Sequence, residues 1–431
     1  MKRIIVGLAL VSLSAQAETV KAFLDAADRQ NVDLRISIEQ RNRAAAEYRQ
    51  AWTGLFPSLS ASAGWTHNQY GAGIDVPQKD ADGNTIIENG KPLTSRVVIV
   101  PVDQFDANFR FELPLIDTGR WFRMAAAGTS EEAAALRAQV TRDLVRRQVV
   151  ASYYGYGASL AVRESAKKSA GVAVEQLKLM EIRAKVGTVT ELDLLRAKAE
   201  AARTRQVLAD TESLVATAHR TLRTLSGLEP PETLPLPQDD VTPESALAEL
   251  ESRVEQLPAV QAADKDAQAS GRVATGARLA LVPLVSAQFT ERITNATGFA
   301  GQSSSFNTGV SLTWRLDVPT FMGMQVQSAN EQVAMLAGDR VRLQARDQIN
   351  ADWQRLEASL IKIDAAKAQV EAAQRATQVA KDRYAAGVAT QVDVIQAERD
   401  VFGAEVSQIQ ARTELATARA SLRISAALPL E

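Results

Sequence analysis

The sequence predicts a protein of long helices and amphipathic strands, in which a helix–strand–strand–helix unit occurs twice. The pattern Gly-x-x-Thr-x-x-Asp occurs at 187–193 and again at 387–393, each time between the end of one helical pattern and the start of the next. None of the 14 prolines lies in 115–229 or 320–428, and proline breaks helix interiors at a cost of about 3 kcal/mol. Two tight helical hairpins at a fixed offset indicate an internal duplication.

The first 17 residues have the features of a secretory signal peptide. Lys2 and Arg3 precede an apolar run from 4 to 13, and Ala15 to Ala17 supplies a small-x-small cleavage site. An N-terminal membrane anchor is the weaker alternative, because the run is too short to span a bilayer. No later stretch approaches the roughly 20 apolar residues of a spanning helix. The chain is therefore expected to be exported, and either soluble outside the cytoplasm or inserted as strands.

Composition excludes several classes of function. The 49 Lys and Arg residues are balanced by 51 Asp and Glu residues, which leaves no basic excess for nucleic acid. The absence of cysteine excludes disulfides, thiolate metal sites, a catalytic cysteine and a lipid-modified N-terminal cysteine. The two histidines are not accompanied by carboxylates at metal-ligand spacing, and Gly155-Tyr156-Gly157 lies within a helical pattern rather than after a strand. The sequence predicts neither an enzyme nor a cofactor or metal site.

The first repeat is predicted to span 18–226. Its apolar residues first recur at helical spacing, and after Gly54 the period changes to two. Apolar and polar residues then alternate in two stretches, which flank a long exposed loop rich in Gly, Pro, Asp and Asn. A second helical region contains the first hairpin. The predicted elements are helix 18–54, strand 57–68, loop 69–103, strand 104–114 and helix 120–226.

The second repeat is predicted at 243–431, after a proline-rich linker at 227–242. Thr242-Pro243-Glu244 is a favourable helix start, with a cap residue, proline at the first helical position and an acid in the first turn. Leu281-Val282-Pro283 then repeats the motif Leu55-Phe56-Pro57 ahead of a strand. The predicted elements are helix 243–281, strands 283–294 and 305–318, and helix 321–426, which contains the second hairpin.

The predicted strands have one aliphatic and aromatic face and one polar face. A soluble sheet with one wet face would give the same pattern, but the export signal, the long neighbouring helices and the roughly 9–11 residues per strand favour an outer membrane. Every backbone group in lipid must be paired, so an open four-stranded sheet cannot lie there. Known bacterial barrels start at about 8 strands, so two, three or four copies would be needed to supply about 8, 12 or 16. The polar face would line a water-filled lumen.

With these features the chain resembles the TolC family of outer-membrane efflux channels. The resemblance covers nearly all of the mature chain and rests on the duplicated helix–strand–strand–helix order, the Leu-x-Pro motif before the first and third strands, and the hairpin motifs at 187–193 and 387–393. It implies a mixed α and β membrane protein, a homotrimer whose twelve strands form one outer-membrane β-barrel joined to a long periplasmic α-helical barrel. The loop 69–103 would be extracellular, and the linker would belong to an equatorial region.

The same resemblance implies a function, that of a passive exit duct in a tripartite efflux or type I secretion system. The hairpin tips would dock onto a periplasmic adaptor (a membrane fusion protein) attached to an inner-membrane transporter. The other class of function is a soluble periplasmic coiled-coil scaffold or adaptor, although adaptors usually have one long hairpin and this sequence predicts two. The tip residues are Gly187, Thr188, Val189, Thr190, Gly387, Val388, Ala389 and Thr390.

Three residues near the tips match the family's gate pattern. Asp193 matches the aspartate that latches the periplasmic gate, and Tyr384 matches the tyrosine that it contacts. The arginine that helps to close the latch falls at Ala389 and is missing. Asp393 matches the first aspartate of a lumenal acidic ring, whose second member falls at Gln396 and is also missing.

The hairpin motif also predicts a purely local role. Thr190 and Thr390 are favourable helix caps, with an aspartate three residues further on as in a capping box. Gly187 and Gly387 suit the left-handed position that ends the preceding helix.

Overall fold

The computed structural model describes residues 19–430, so the predicted signal peptide at 1–17 lies outside the described residues. The chain forms two compact units. The strand unit comprises residues 42–133 and 264–336, and the hairpin unit comprises the remaining described residues, which include both hairpin motifs. Long helices run from one unit into the other.

Helices make up most of the described chain. Both α3 and α7 contain 68 residues. Within residues 19–430, none of the helices combines the length and the apolar character needed to cross a membrane. Short 3-10 turns lie at Val254–Gln256, Leu279–Leu281 and Gly298–Ala300. The α-helices are α1 (Val20–Gln30), α2 (Val32–Thr53), α3 (Thr118–Lys185), α4 (Glu191–Ser226), α5 (Leu247–Glu251), α6 (Pro258–Arg278), α7 (Val318–Ala385) and α8 (Gln391–Ser425).

Four long strands form one antiparallel sheet. They are β1 (Ser58–His67), β6 (Asp103–Ile116), β7 (Leu284–Thr294) and β8 (Ser304–Thr313), paired in the order β1-β6-β7-β8. The sheet thus joins strands of both repeats, and β1 and β8 are its two edges. Within the described chain, β1 and β8 each pair with only one strand.

The strand register confirms the two predicted faces of the sheet. Leu59 lies opposite Phe111, and Phe111 lies opposite Phe289. Because successive side chains of a strand point to opposite faces, this row defines an apolar face and a polar face. The apolar face contains Leu59, Ala61, Ala63 and Trp65 of β1, Phe105, Ala107, Phe109, Phe111 and Leu113 of β6, Val285, Ala287, Phe289 and Ile293 of β7, and Phe306, Val310 and Leu312 of β8.

The segment predicted as the loop 69–103 is instead a folded β-ribbon. Strand β2 (Ala72–Pro77) pairs with β5 (Thr94–Val100), and β3 (Ile87–Glu88) pairs with β4 (Lys91–Pro92). Asn89 and Gly90 connect β3 to β4, both with positive φ, at 52° and 78°. An Asn-Gly pair with two positive φ angles is the favoured two-residue hairpin turn. That turn signal is present in the sequence, and it accounts for a ribbon where composition alone predicts a loop.

The predicted helix 18–54 is two helices that meet at Asn31. The Asn31 side-chain oxygen accepts hydrogen bonds from the backbone N–H of Asp33 at 2.9 Å and of Leu34 at 3.4 Å, so it caps α2. Its amide nitrogen donates to the Leu225 carbonyl of α4 at 3.1 Å. A capping side chain with a tertiary partner therefore ends one helix and starts the next.

The predicted helix start at Thr242-Pro243-Glu244 is wrong, because these residues bind an arginine instead. The described helix begins only at Leu247. Arg419 of α8 donates to the Thr242 carbonyl at 2.6 Å and to a Glu244 carboxylate oxygen at 2.9 Å. Arg423 donates to the same Glu244 oxygen at 2.8 Å. The charge-assisted contacts hold this segment extended along α8.

The first repeat holds the other end of the linker from the equivalent helix positions. His219 and Arg223 of α4 lie 200 residues before Arg419 and Arg423. Their side chains lie 3.3 Å and 3.0 Å from the carboxylate of Glu229. The equivalent positions of α4 and α8 therefore each pair with a glutamate, Glu229 at the start of the linker and Glu244 just after its end.

Two apolar cores lie in the hairpin unit. In one core, Ile349, Leu356 and Ile363 of α7 recur every seven residues and pack against α8 and the segment after the linker. Such a heptad spacing is typical of coiled-coil packing. In the other, Phe23 of α1 packs with residues of α3 and α4, its ring 5.5 Å from that of Tyr153.

We expect Arg419→Met to destabilise the protein by about 3 kcal/mol, since the nearly buried carboxylate of Glu244 would keep only Arg423 and the carbonyls of Asp240 and Thr242 would lose a donor. Arg419 and Glu244 have side chains only 8% and 10% exposed. The matched control is Arg375→Met, whose pair with Glu371 is 79% and 66% exposed and is worth about 0–1 kcal/mol. Urea unfolding followed by circular dichroism measures both. Equal losses in the free energy of unfolding for the two variants would show that the Arg419–Glu244 contact does not stabilise the protein more than an exposed ion pair.

Candidate functional site: the hairpin tips

The two helical hairpins end in the same backbone turn. Gly187 has φ 71° and Gly387 has φ 76°, both left-handed. The N–H of Gly187 donates to the Ala184 carbonyl at 3.1 Å, and the N–H of Thr188 donates to the Arg183 carbonyl at 3.0 Å. This pair of bonds is the Schellman motif, which satisfies carbonyls at a helix end. The predicted role of the two glycines is confirmed.

The second hairpin repeats these bonds. Gly387 donates to the Tyr384 carbonyl at 3.0 Å, and Val388 donates to the Arg383 carbonyl at 2.9 Å. A side chain at either glycine would have open space around it but an unfavourable φ. Backbone conformation, rather than crowding, therefore accounts for glycine at both positions.

Thr190 and Thr390 cap the helices that follow the turns, as predicted. Each threonine oxygen accepts the N–H of the aspartate three residues on, at 3.2 Å and 3.3 Å. Only the second hairpin has the full capping box, in which the Thr390 N–H also donates to the Asp393 carboxylate at 2.7 Å. In the first hairpin, the Asp193 carboxylate instead lies 3.6 Å from Arg196.

Hydrogen bonds lower the pKa of Asp393. The backbone N–H of Thr390 makes the larger contribution, and the Thr390 hydroxyl adds to it. Both donors favour the charged carboxylate. Asp393 is exposed, so it presents a negative charge to solvent that persists below the usual titration range of aspartate.

Tyr384 contacts the first hairpin through Arg183 and Met180 of α3. The hydroxyl lies 3.5 Å from an Arg183 guanidinium nitrogen and 3.9 Å from the Met180 sulfur. The Arg183 guanidinium carbon also lies 5.9 Å from the centre of the Tyr384 ring, within cation–π distance. Among the described residues of a single chain, the gate candidates Tyr384 and Asp193 are not hydrogen-bonded to each other.

Further polar contacts join the two hairpins behind the tips. Gln176 of α3 donates to Glu398 of α8 at 2.6 Å and accepts from the side chain of Gln391 at 3.3 Å. Lys381 of α7 lies 3.1 Å from the same Glu398 carboxylate. Gln176 therefore links the first hairpin to α8 of the second hairpin, and Lys381 joins α7 to the same Glu398 carboxylate.

Glu200 of α4 forms the most enclosed of these contacts. Its carboxylate is nearly buried and accepts hydrogen bonds from two guanidinium nitrogens of Arg399 of α8, with the Nε at 3.1 Å. Arg203 donates to the other carboxylate oxygen at 3.2 Å. Both Arg399 nitrogens donate to one carboxylate oxygen, and charge-assisted hydrogen bonds of this kind are stronger than bonds between neutral groups. Sequence reasoning missed Glu200, Arg399, Gln176 and Glu398, because helical spacing does not show which turn of one long helix meets which turn of another.

The tip surface itself is apolar and open to solvent. Val186 and Val388 are 69% and 66% exposed. Leu192 and Val392, at equivalent positions in the first turns of α4 and α8, are also exposed. Of the predicted tip residues, Gly187, Thr188, Thr190, Gly387, Val388 and Thr390 are exposed, whereas Val189 and Ala389 are partly buried.

Solved structures of outer-membrane channels share this fold. The outer membrane channel CmeC of Campylobacter jejuni superposes with a TM-score of 0.78 at 16% identity, over 94% of this chain and 85% of that one. A membrane protein from Pseudomonas aeruginosa superposes with a TM-score of 0.79 at 20% identity, over 95% of this chain and 94% of that one. The chain therefore has the fold of these outer-membrane and membrane proteins.

Sequence comparison places the chain in a family. The family described as "Outer membrane efflux protein" matches residues 23–228 and 250–427. The outer membrane efflux protein BepC of Brucella suis biovar 1 is 24% identical over 285 residues, which are 64% of this chain and 61% of that protein. The chain thus spans about three fifths of the length of this curated relative. The chain belongs to the outer membrane efflux protein family, and since the match runs through both repeats, the adaptor alternative is not favoured.

Proposed function

We propose that three copies of this chain form a passive duct that carries substrate from the periplasm across the outer membrane, as the exit component of a tripartite efflux or type I secretion system. The amphipathic sheet supports this proposal most strongly. Among residues 19–430, the edges β1 and β8 have no further strand partner, and lipid requires every backbone group to be paired. Three four-stranded sheets would supply about 12 strands, within the range of bacterial barrels.

The polar face of the sheet then lines the lumen. Its residues include Asp106, Arg110, Glu112 and Arg292, together with serines, threonines and glutamines. Asp106 and Arg292 form an ion pair across neighbouring strands. A lumen with charges of both signs and hydroxyl groups remains wet, as a solute path requires.

The hairpin tips are proposed as the docking site for a periplasmic adaptor, which in turn contacts an inner-membrane transporter. The exposed apolar residues Val186, Val388, Leu192 and Val392 support this role, since they surround rigid turns with satisfied backbone bonds. Exposed apolar side chains that recur at the same place in both hairpins are consistent with a protein interface. Gly187 to Thr190 and Gly387 to Thr390 form the two equivalent halves of this surface.

The gate is proposed to consist of Asp193, Tyr384 and Asp393, as the family pattern implies, together with the contacts that join the hairpins. Arg183 on Tyr384 and Arg399 on Glu200 hold the second hairpin against the first. A guanidinium at Arg183 offers an alternative for the arginine that is missing at Ala389. Opening of the mouth would break these pairs without unfolding either hairpin.

We expect Asp393→Asn to reduce the cation preference of the channel in planar bilayers, because three Asp393 carboxylates would form a charged ring at a constriction. Because the pKa of Asp393 is lowered, its carboxylate stays ionised to lower pH than an ordinary aspartate, so the wild-type preference should persist at pH 5 and be lost only as the pH falls through that lowered pKa. Asp382→Asn, an exposed carboxylate on α7, is the control. Unchanged reversal potentials in Asp393→Asn would exclude the ring.

We expect a cysteine introduced by Val388→Cys to cross-link to a periplasmic adaptor in intact cells, since Val388 is exposed beside the turn. The chain has no cysteine of its own, so the label is unique. Ile361→Cys, equally exposed on α7 but far along the helix from the tip, is the matched control. Cross-linking of both variants to the same extent, or of Ile361→Cys alone, would reject docking at the tips.

A further inference from the structure

A carboxylate lies among the aromatic residues of the apolar face of the sheet. Glu291 of β7 is opposite Phe109 of β6 on one side and Phe306 of β8 on the other. Its side chain accepts a hydrogen bond from the Ser304 hydroxyl at 2.8 Å, and Ser304 lies on the same face. The polar face, which already contains charged residues, would have offered a less costly location.

A charge on a lipid-facing strand is costly at the bilayer centre and nearly free at its boundary. Glu291 is three residues from the loop end of β7. At about 3.3 Å per residue and a tilt near 40°, it lies about 8 Å below that end. The pair His67–Asp103, at 2.8 Å, lies on the same face at the loop ends of β1 and β6. All polar groups named here therefore belong to one end of the face.

The opposite end of the face is aromatic and apolar. Trp314 follows β8 directly and is 58% exposed, while its indole N–H donates to the Leu281 carbonyl at 2.8 Å. Leu316 and Val318 beyond it are 57% and 69% exposed. A tryptophan with an apolar ring and a satisfied N–H is typical of the lipid–water interface.

The separation of these two ends fits the thickness of a membrane. Phe306 is opposite Glu291, and Trp314 lies eight residues further along the chain. With the same rise and tilt, eight residues span about 20 Å, and the apolar band of outer-membrane barrels is about 25 Å tall. The difference of a few ångströms between this span and the apolar band is covered by the two residues from Trp314 to Leu316.

We propose that Glu291 with Ser304 and Trp314 with Leu316 contact the headgroup layers of the two leaflets, so that lipid covers the strand–helix junction and leaves the loop ends of the strands uncovered. The partner is a phospholipid bilayer, with acyl chains against Phe289 and Val310. The inference rests on the proposed insertion of the sheet. It adds where the bilayer begins and ends along the strands.

Spin labels in the cysteine-free chain test these positions. Single-cysteine variants Glu291→Cys, Val310→Cys and Leu316→Cys are labelled in vesicles of phosphatidylcholine and phosphatidylglycerol, with Ile361→Cys as the aqueous reference. Collisional relaxation by oxygen and by a water-soluble nickel chelate reports depth. Val310 should be deepest, and Glu291 and Leu316 should both lie near the phosphate level.

The outcomes separate the two proposals. If Val310 is as accessible to nickel as Ile361, the sheet is not inserted and the proposed function fails. If Val310 lies in lipid while Glu291 is equally deep, or Leu316 is as wet as Ile361, insertion holds and the assigned boundaries are wrong.

A charge at mid-depth provides a second test. Thr308 is opposite Phe289 on the same face, between Phe306 and Val310. Thr308→Glu should lower the midpoint of heat denaturation in these vesicles by several degrees, whereas Thr308→Gln and Glu291→Gln should leave it nearly unchanged. Equal tolerance of Thr308→Glu and of the native Glu291 would overturn the assignment.

Discussion

The two unpaired edges of the sheet are the constraint on which the rest of the structure depends. Strands β1 and β8 present backbone N–H and C=O groups that no residue of the described chain satisfies. In water such edges invite aggregation, and in lipid each orphan group costs several kcal/mol. Leu59, Phe111 and Phe289 lie in register on an apolar face that lipid would stabilise. In lipid, the two edge strands would then have to pair with strands of further copies to close the sheet into a barrel. If the sheet inserts as proposed, association with further copies is a condition for folding in the membrane.

The two repeats contain the same helices and hairpin turns, but their side-chain contacts differ. Both hairpins retain the same Schellman turn and threonine cap, because those bonds are local. His219 and Arg419 occupy equivalent helix positions, yet one faces Glu229 and the other faces Glu244. The same helix register can therefore secure both ends of one linker. Divergence is also visible at Asp193 and Asp393, of which only the second closes a capping box.

Elements with a local cause could be predicted from the sequence. The alternation along 58–68 and 105–113 gave the two faces of the sheet, because the side-chain period of a strand is two. Gly187 and Gly387 indicated helix ends for a similarly local reason. The turn at Asn89-Gly90 was just as local and was overlooked, so the ribbon that contains it was predicted as a loop.

Elements with a distant cause could not be predicted. Thr242-Pro243-Glu244 has every property of a helix start, but Arg419 competes for the same groups and prevails. Asn31 divides a continuous helical pattern by binding a carbonyl that is 194 residues away. Glu200 and Arg399 meet only because two long helices are aligned at that turn, and nothing in either local sequence specifies the alignment. The contacts that join the two hairpins therefore could be identified only from the three-dimensional structure.

The subunit count tests the central claim most directly. Native mass spectrometry of the detergent-solubilised protein, released from its outer-membrane fraction, would give the number of chains in the assembly. Three copies, which would close twelve strands, are the predicted result. A monomer would contradict the account, because β1 and β8 would then lack partners in lipid, and a stable dimer or tetramer would contradict the twelve-stranded barrel.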